Sequence, residues 1–154
     1  MNLTKNFTLN ELTQSETALR KGINNVPTQD VISALQTLAV NVLQPVREHY
    51  GKGVKVTSGY RSPEVNASVG GSKTSDHCKG QAADIEIPGL PNLELAQYIK
   101  DTLQFTQLIL EFYTPGVTDS GWVHVSYDPA NLKCQVLTAV KQDGKTVYLP
   151  GLVA

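Results

Sequence analysis

His77, Asp84 and His124 supply two imidazoles and one carboxylate. That donor set is common around a catalytic zinc with an open fourth position. One helix cannot hold the first pair, because seven residues of helix separate side chains by about 10 Å along the axis. Ligands of a single zinc sit about 2 Å from the metal. A loop that doubles back into a strand brings His77 and Asp84 together, and Gly80 permits that turn. The remaining histidine, His49, lies near a helix end, where an imidazolium favours the dipole, and reads as structural. Cys78 is next to His77 and points elsewhere in most backbone conformations. Pairing of Cys78 with Cys134 is left open by the sequence.

The elements that must carry these groups are legible in the periodicities. Gln81–Ile87, Gln107–Tyr113 and Trp122–Tyr127 read as strands, following a first strand around Val54–Thr57. Side chains alternate faces along a strand. Ala83, Ile85 and Ile87 share one face, as do Leu108, Leu110 and Phe112, and Val123, Val125 and Tyr127. With those faces on the core, Asp84, Glu111 and His124 converge on the other. The same alternation also fits a half-solvated sheet with ordinary polar residues outside. Eight residues join the third and fourth strands, which predicts an antiparallel pair.

Val31, Leu35, Leu38, Val42 and Leu43 form an apolar stripe on a helix that opens after Pro27. Pro45 is expected to kink or divide it, and Gly51 to cap its end. A second helix is expected over Leu93–Leu103 with Asn92 as its cap. Short helical stretches are expected at Leu9–Leu12 and Ser15–Arg20. Ser58–Lys79 reads as a long loop of the kind that carries function. The last twenty residues suggest a hairpin turning at Asp143-Gly144.

The chain has 154 residues, 40% hydrophobic and 18% charged, which excludes a disordered polymer and fits a single domain over residues 1–154. Thirteen basic and fourteen acidic residues leave a net charge of −1. No basic excess exists to grip nucleic acid or an anionic membrane, so neither is an expected partner. No apolar run is long enough for a membrane span. The start, MNLTKNFTLNEL, lacks a signal pattern, so synthesis in the cytoplasm without a signal peptide is expected.

Ser75, His77, Gly80, Ala82 and Asp84 fill the pattern S-x-H-x-x-G-x-A-x-D. Upstream stands Ser58-Gly59-Tyr60-Arg61-Ser62, and downstream Trp122-Val123-His124. Over about Phe7 to Tyr127 this resembles the zinc D-alanyl-D-alanine carboxypeptidase and L-alanyl-D-glutamate endopeptidase family, whose fold is shared with the hedgehog signalling domain. The short form, with Phe7-Thr8-Leu9 and Glu11-Leu12 at the start, looks most like bacteriophage members. The resemblance implies one zinc per chain held by His77, Asp84 and His124. It implies Arg61 for a substrate carboxylate or the oxyanion, and Ser75 for the substrate or for bracing the loop. Several members place an acidic general base three residues before the second histidine; here that position is Gly121. Glu111 is the better candidate and Asp119 the second.

The expected fold is α+β, an antiparallel sheet with helices packed on one face and a zinc cleft on the other. The expected function is hydrolysis of an amide bond in peptidoglycan stem peptides by a monomer, reaching the cell wall through lysis machinery or aboard a virion. The alternatives are a zinc-bearing module that binds stem peptides without cutting them, and a structural phage protein.

Overall fold

A computed structural model describes residues 1–154. Six strands form one sheet in the order β1-β2-β4-β3-β5-β6. They are β1 (Lys55–Ser58), β2 (Ala82–Glu86), β3 (Gln107–Glu111), β4 (Trp122–Ser126), β5 (Gln135–Gln142) and β6 (Lys145–Pro150). The β3–β4 pair is antiparallel, as its short connection requires. β5 departs from the antiparallel expectation and runs parallel to β3. Residues 127–134 step across the end of β3 at which both Gln107 and Ser126 lie, so the chain re-enters the sheet in the direction of β3. β5 and β6 form the expected hairpin, with Asp143 and Gly144 in left-handed conformations at its turn.

The helices are α1 (Leu9–Thr13), α2 (Glu16–Lys21), α3 (Gln29–Leu38), α4 (Gln44–Tyr50), α5 (Pro63–Ser68) and α6 (Asn92–Thr102). Thr8 closes a capping box with Glu11 at the start of α1. Between α3 and α4 the chain makes a π-helical turn over Ala39–Leu43, just before Pro45. This divides the long helix while keeping its stripe on the sheet: Leu35, Leu38, Val42, Leu43 and Val46 are wholly buried. They meet Ala83, Ile85, Leu108, Leu110, Val123 and Val125 in one core, with Leu95 and Ile99 of α6 beside them. Burying each such side chain contributes about 1.5–3 kcal/mol. The opposite face of β2, β4 and β3 is thereby left for polar groups.

Three local expectations change. The stretch expected as loop between β1 and β2 contains α5 and a 3₁₀ turn over Asp76–Lys79. Ser62 and Ser75 cap these two pieces. Asn92 does not cap α6; its amide instead donates to the carbonyls of Ser120 and Gly121, tying the helix to the turn before β4. Phe112 does not continue the core face of β3. Its φ of 55° ends the strand, and its ring lies edge-to-face against Trp122. No helix is long and apolar enough to cross a membrane. Cys78 and Cys134 are both free thiols.

Candidate metal centre and catalytic cleft

Asp84 on β2 stands directly opposite His124 on β4. Residues paired across antiparallel strands share a face, and here that face is the one away from the helices. The third member comes from the 3₁₀ turn. Gly80 ends that turn with φ 72° and packs against Val31 of α3, so the chain folds back and enters β2 within a few residues. His77 is thereby buried beside Asp84, seven positions on in the sequence.

Asp84 Oδ1 lies 3.4 Å from His77 Nε2 and 3.0 Å from His124 Nδ1. Two ligands on a tetrahedral zinc at about 2.1 Å lie roughly 3.4 Å apart. Donor atoms of all three residues fall within 4.8 Å of one another. His77 Nδ1–H donates to the Gly59 carbonyl at 2.7 Å, which fixes the ring and leaves Nε2 turned to the cluster. Support of that kind is what orients metal-binding histidines. The residues present therefore fit a single zinc ion with an open position. Cys78 takes no part in the cluster, and His49 stacks on Tyr98 at 4.0 Å, far from it in the fold as expected of a structural histidine.

The cluster is electrostatically coupled. Burial alone would raise the Asp84 carboxyl, but hydrogen bonds and charge from His124 and His77 hold it well below the usual carboxylate range. Burial alone would lower His124, but the hydrogen bond and charge of Asp84 outweigh that and raise it.

A cleft of about 360 Å³ opens over this cluster. Glu111, Arg61 and Ser75 all line it. Glu111 is paired with Trp122 across β3 and β4, and the indole Nε1–H donates to its Oε2 at 2.7 Å. One carboxylate oxygen is thus held in place. Burial, with the Asp84 charge added, pushes the Glu111 carboxyl up, against smaller opposing effects of His124 and the Trp122 bond. Asp119 is exposed in the turn before β4 and does not line the cleft. Gly121 has φ 65°, and a β-carbon there would overlap the Glu111 carbonyl oxygen. The backbone path requires glycine at this position.

Arg61 is anchored through its backbone, whose N–H donates to the His77 carbonyl at 3.1 Å. Its Nε is buried without a hydrogen-bond partner, a costly state for a charged group unless a ligand satisfies it. Ser75 Oγ accepts from the His77 N–H at 3.2 Å, so it braces the turn that presents the histidine.

Sequence reasoning did not single out three neighbours of the cleft. Trp122 was visible only as a neighbour of His124 on the same face. The Gly59 carbonyl has no side-chain signal at all. Tyr148 of β6 also lines the cleft, and nothing in its local sequence places it there.

A sequence model of the family described as Peptidase M15 matches residues 5–126, nearly the stretch over which the motifs run. No curated protein matches the chain.

Proposed function

The chain belongs to the Peptidase M15 family, whose members are zinc-dependent, and on that premise we propose that it hydrolyses an amide bond in peptidoglycan stem peptides. His77, Asp84 and His124 would hold the ion. A zinc bound there supplies Lewis acidity toward a carbonyl and toward water.

The chain's own residues supply the rest. Glu111 accepts a proton from the attacking water and delivers it to the leaving amine. Trp122 fixes one carboxylate oxygen and leaves the other, Oε1, for that transfer. A carboxyl raised by burial is a better proton acceptor than an ordinary glutamate. Arg61 pairs with a substrate carboxylate or with the developing oxyanion; a guanidinium makes two parallel hydrogen bonds to such a group. Its unpartnered Nε is the donor awaiting one. Ser75 keeps His77 in register through the turn.

The observation that carries the reading is the meeting of a zinc-type triad, a half-buried carboxylate and an arginine with an unpartnered Nε in one cleft. Glu111 occupies that cleft, so glycine at position 121 does not argue for a module that binds without cutting. Access to the wall from the cytoplasm, through lysis machinery or aboard a virion, is part of the same proposal. Mass spectrometry of purified peptidoglycan before and after digestion tests it. Zinc-loaded protein should shorten or split the stem peptides, and the product masses identify the bond as D-Ala-D-Ala or L-Ala-D-Glu. Muropeptides left intact by zinc-loaded protein would overturn the proposal.

A further inference from the structure

The row of paired residues that holds the base runs on across the sheet. Trp122 pairs with Glu111, Glu111 with Ala139 on β5, and Ala139 with Tyr148 on β6. All four therefore project from the face that carries the metal centre. Ala139 is wholly buried and carries only a methyl group, so no larger side chain stands between Glu111 and Tyr148 in this row. Tyr148 lines the catalytic cleft yet remains 53% exposed, the one aromatic among the exposed large apolar side chains. It belongs to the β5–β6 hairpin, which lies beyond the residues matched by the family.

We infer that Tyr148 forms an outer subsite for the substrate, stacking on a C–H-rich face of a group remote from the scissile bond. This rests on the proposed peptidase reading. Strands lie about 4.8 Å apart, so the Tyr148 backbone is roughly 10 Å from that of Glu111. An extended peptide covers that in about three residues. Only substrates reaching that far from the reacting amide touch the ring. The C–H-rich face can come from an aliphatic peptide side chain or from an amino sugar. A tyrosine ring loses little conformational freedom on binding, which suits it to this role.

The test compares zinc-loaded wild type, Tyr148→Ala and Tyr148→Phe on a blocked dipeptide, a free stem tetrapeptide and a disaccharide-linked tetrapeptide. Tyr148→Ala should raise KM for the longer substrates roughly three- to tenfold with kcat unchanged. Its kcat/KM on the dipeptide should equal that of wild type, and Tyr148→Phe should restore the longer substrates. Sensitivity already on the free tetrapeptide assigns the contact to a peptide side chain, and sensitivity confined to the disaccharide form assigns it to the sugar. An unchanged KM on both long substrates, or an equal loss on all three, overturns the inference. Titration calorimetry of the long substrates reads the same contact without turnover. Binding that depends on Tyr148 in a protein that cuts nothing would overturn the hydrolytic reading and keep this one, whereas absence of binding by wild type would overturn both.

Discussion

Gly121 lies against the carbonyl of Glu111 so closely that any side chain at position 121 would collide with it. The residue three before His124 is thus barred from carrying a carboxylate, and the neighbouring strand carries one instead. Gly121→Asp should therefore destabilise the protein by about 1–3 kcal/mol, because it adds both overlap and a strained positive φ. It should not restore activity to Glu111→Gln. Thermal melts and activity of the double variant check this, and a stable, active double variant would show that position 121 can host the base.

Glu111→Gln keeps the size of the side chain and an oxygen for the Trp122 bond but cannot take a proton. Loss of a positioned general base lowers the rate by on the order of a hundredfold to ten-thousandfold. Zinc content and melting temperature should stay near wild type. Asp119→Asn, exposed and outside the cleft, should be close to fully active. If Asp119→Asn abolishes turnover and Glu111→Gln does not, the base lies in the turn.

Protein purified without added metal should contain close to one zinc per chain by elemental analysis. His77→Ala and Asp84→Ala should each lose most of it. Gly80 at the end of the 3₁₀ turn packs against Val31 of α3, so enlarging Val31 should also weaken zinc binding by moving His77. Full metal content in both alanine variants would place the ion elsewhere.

Arg61→Ala should fold and retain zinc, since the residue is anchored by its backbone and its Nε has no internal partner to lose. Activity should fall strongly, and Arg61→Lys should recover little because a bidentate contact is lost. Equal kcat/KM for Arg, Lys and Ala would remove the side chain from the mechanism.

Metal-free protein should show a pH dependence opposite to that of zinc binding. His124 is raised in the folded state, so its contribution to stability is full below the ordinary histidine value of about 6.5 and is lost as pH rises through the raised one. Asp84 is lowered, so its contribution is present above about 3.9 and is lost as pH falls through the lowered value. Metal-free protein should therefore melt at a lower temperature at about pH 8.5 than at about pH 6, and Asp84→Asn should flatten that difference. Zinc affinity should instead rise over the same interval, because the ligands must shed protons. Parallel slopes for apo stability and zinc affinity would contradict the Asp84–His124 pairing.

The sequence by itself determined the candidate donors and the faces they take. Alternation in β2 and β4 is a local property of the backbone, so Asp84 and His124 could be placed opposite the apolar residues without knowing the strand order. The helical stripe and the hairpin turn were legible for the same reason. The return of the chain at Gly80 was legible because a backbone reversal there needs a residue that tolerates positive φ. Relations between distant segments were decided only by the tertiary structure. Phe112 has the alternation of a core residue, but a left-handed backbone turns it onto Trp122. Asn92 has the type of a helix cap, but two carbonyls across the fold claim its amide. That Glu111 and not Asp119 lines the cleft, and that an indole pairing across strands holds its carboxylate, is visible only in the fold. The parallel docking of β5 on β3, and with it the arrival of Tyr148 at the cleft, follows from a loop stepping across a strand end. Periodicity records which side of its own strand a residue faces. It holds no record of which strand will lie alongside, because that is set by burial and hydrogen bonding summed over the whole sheet.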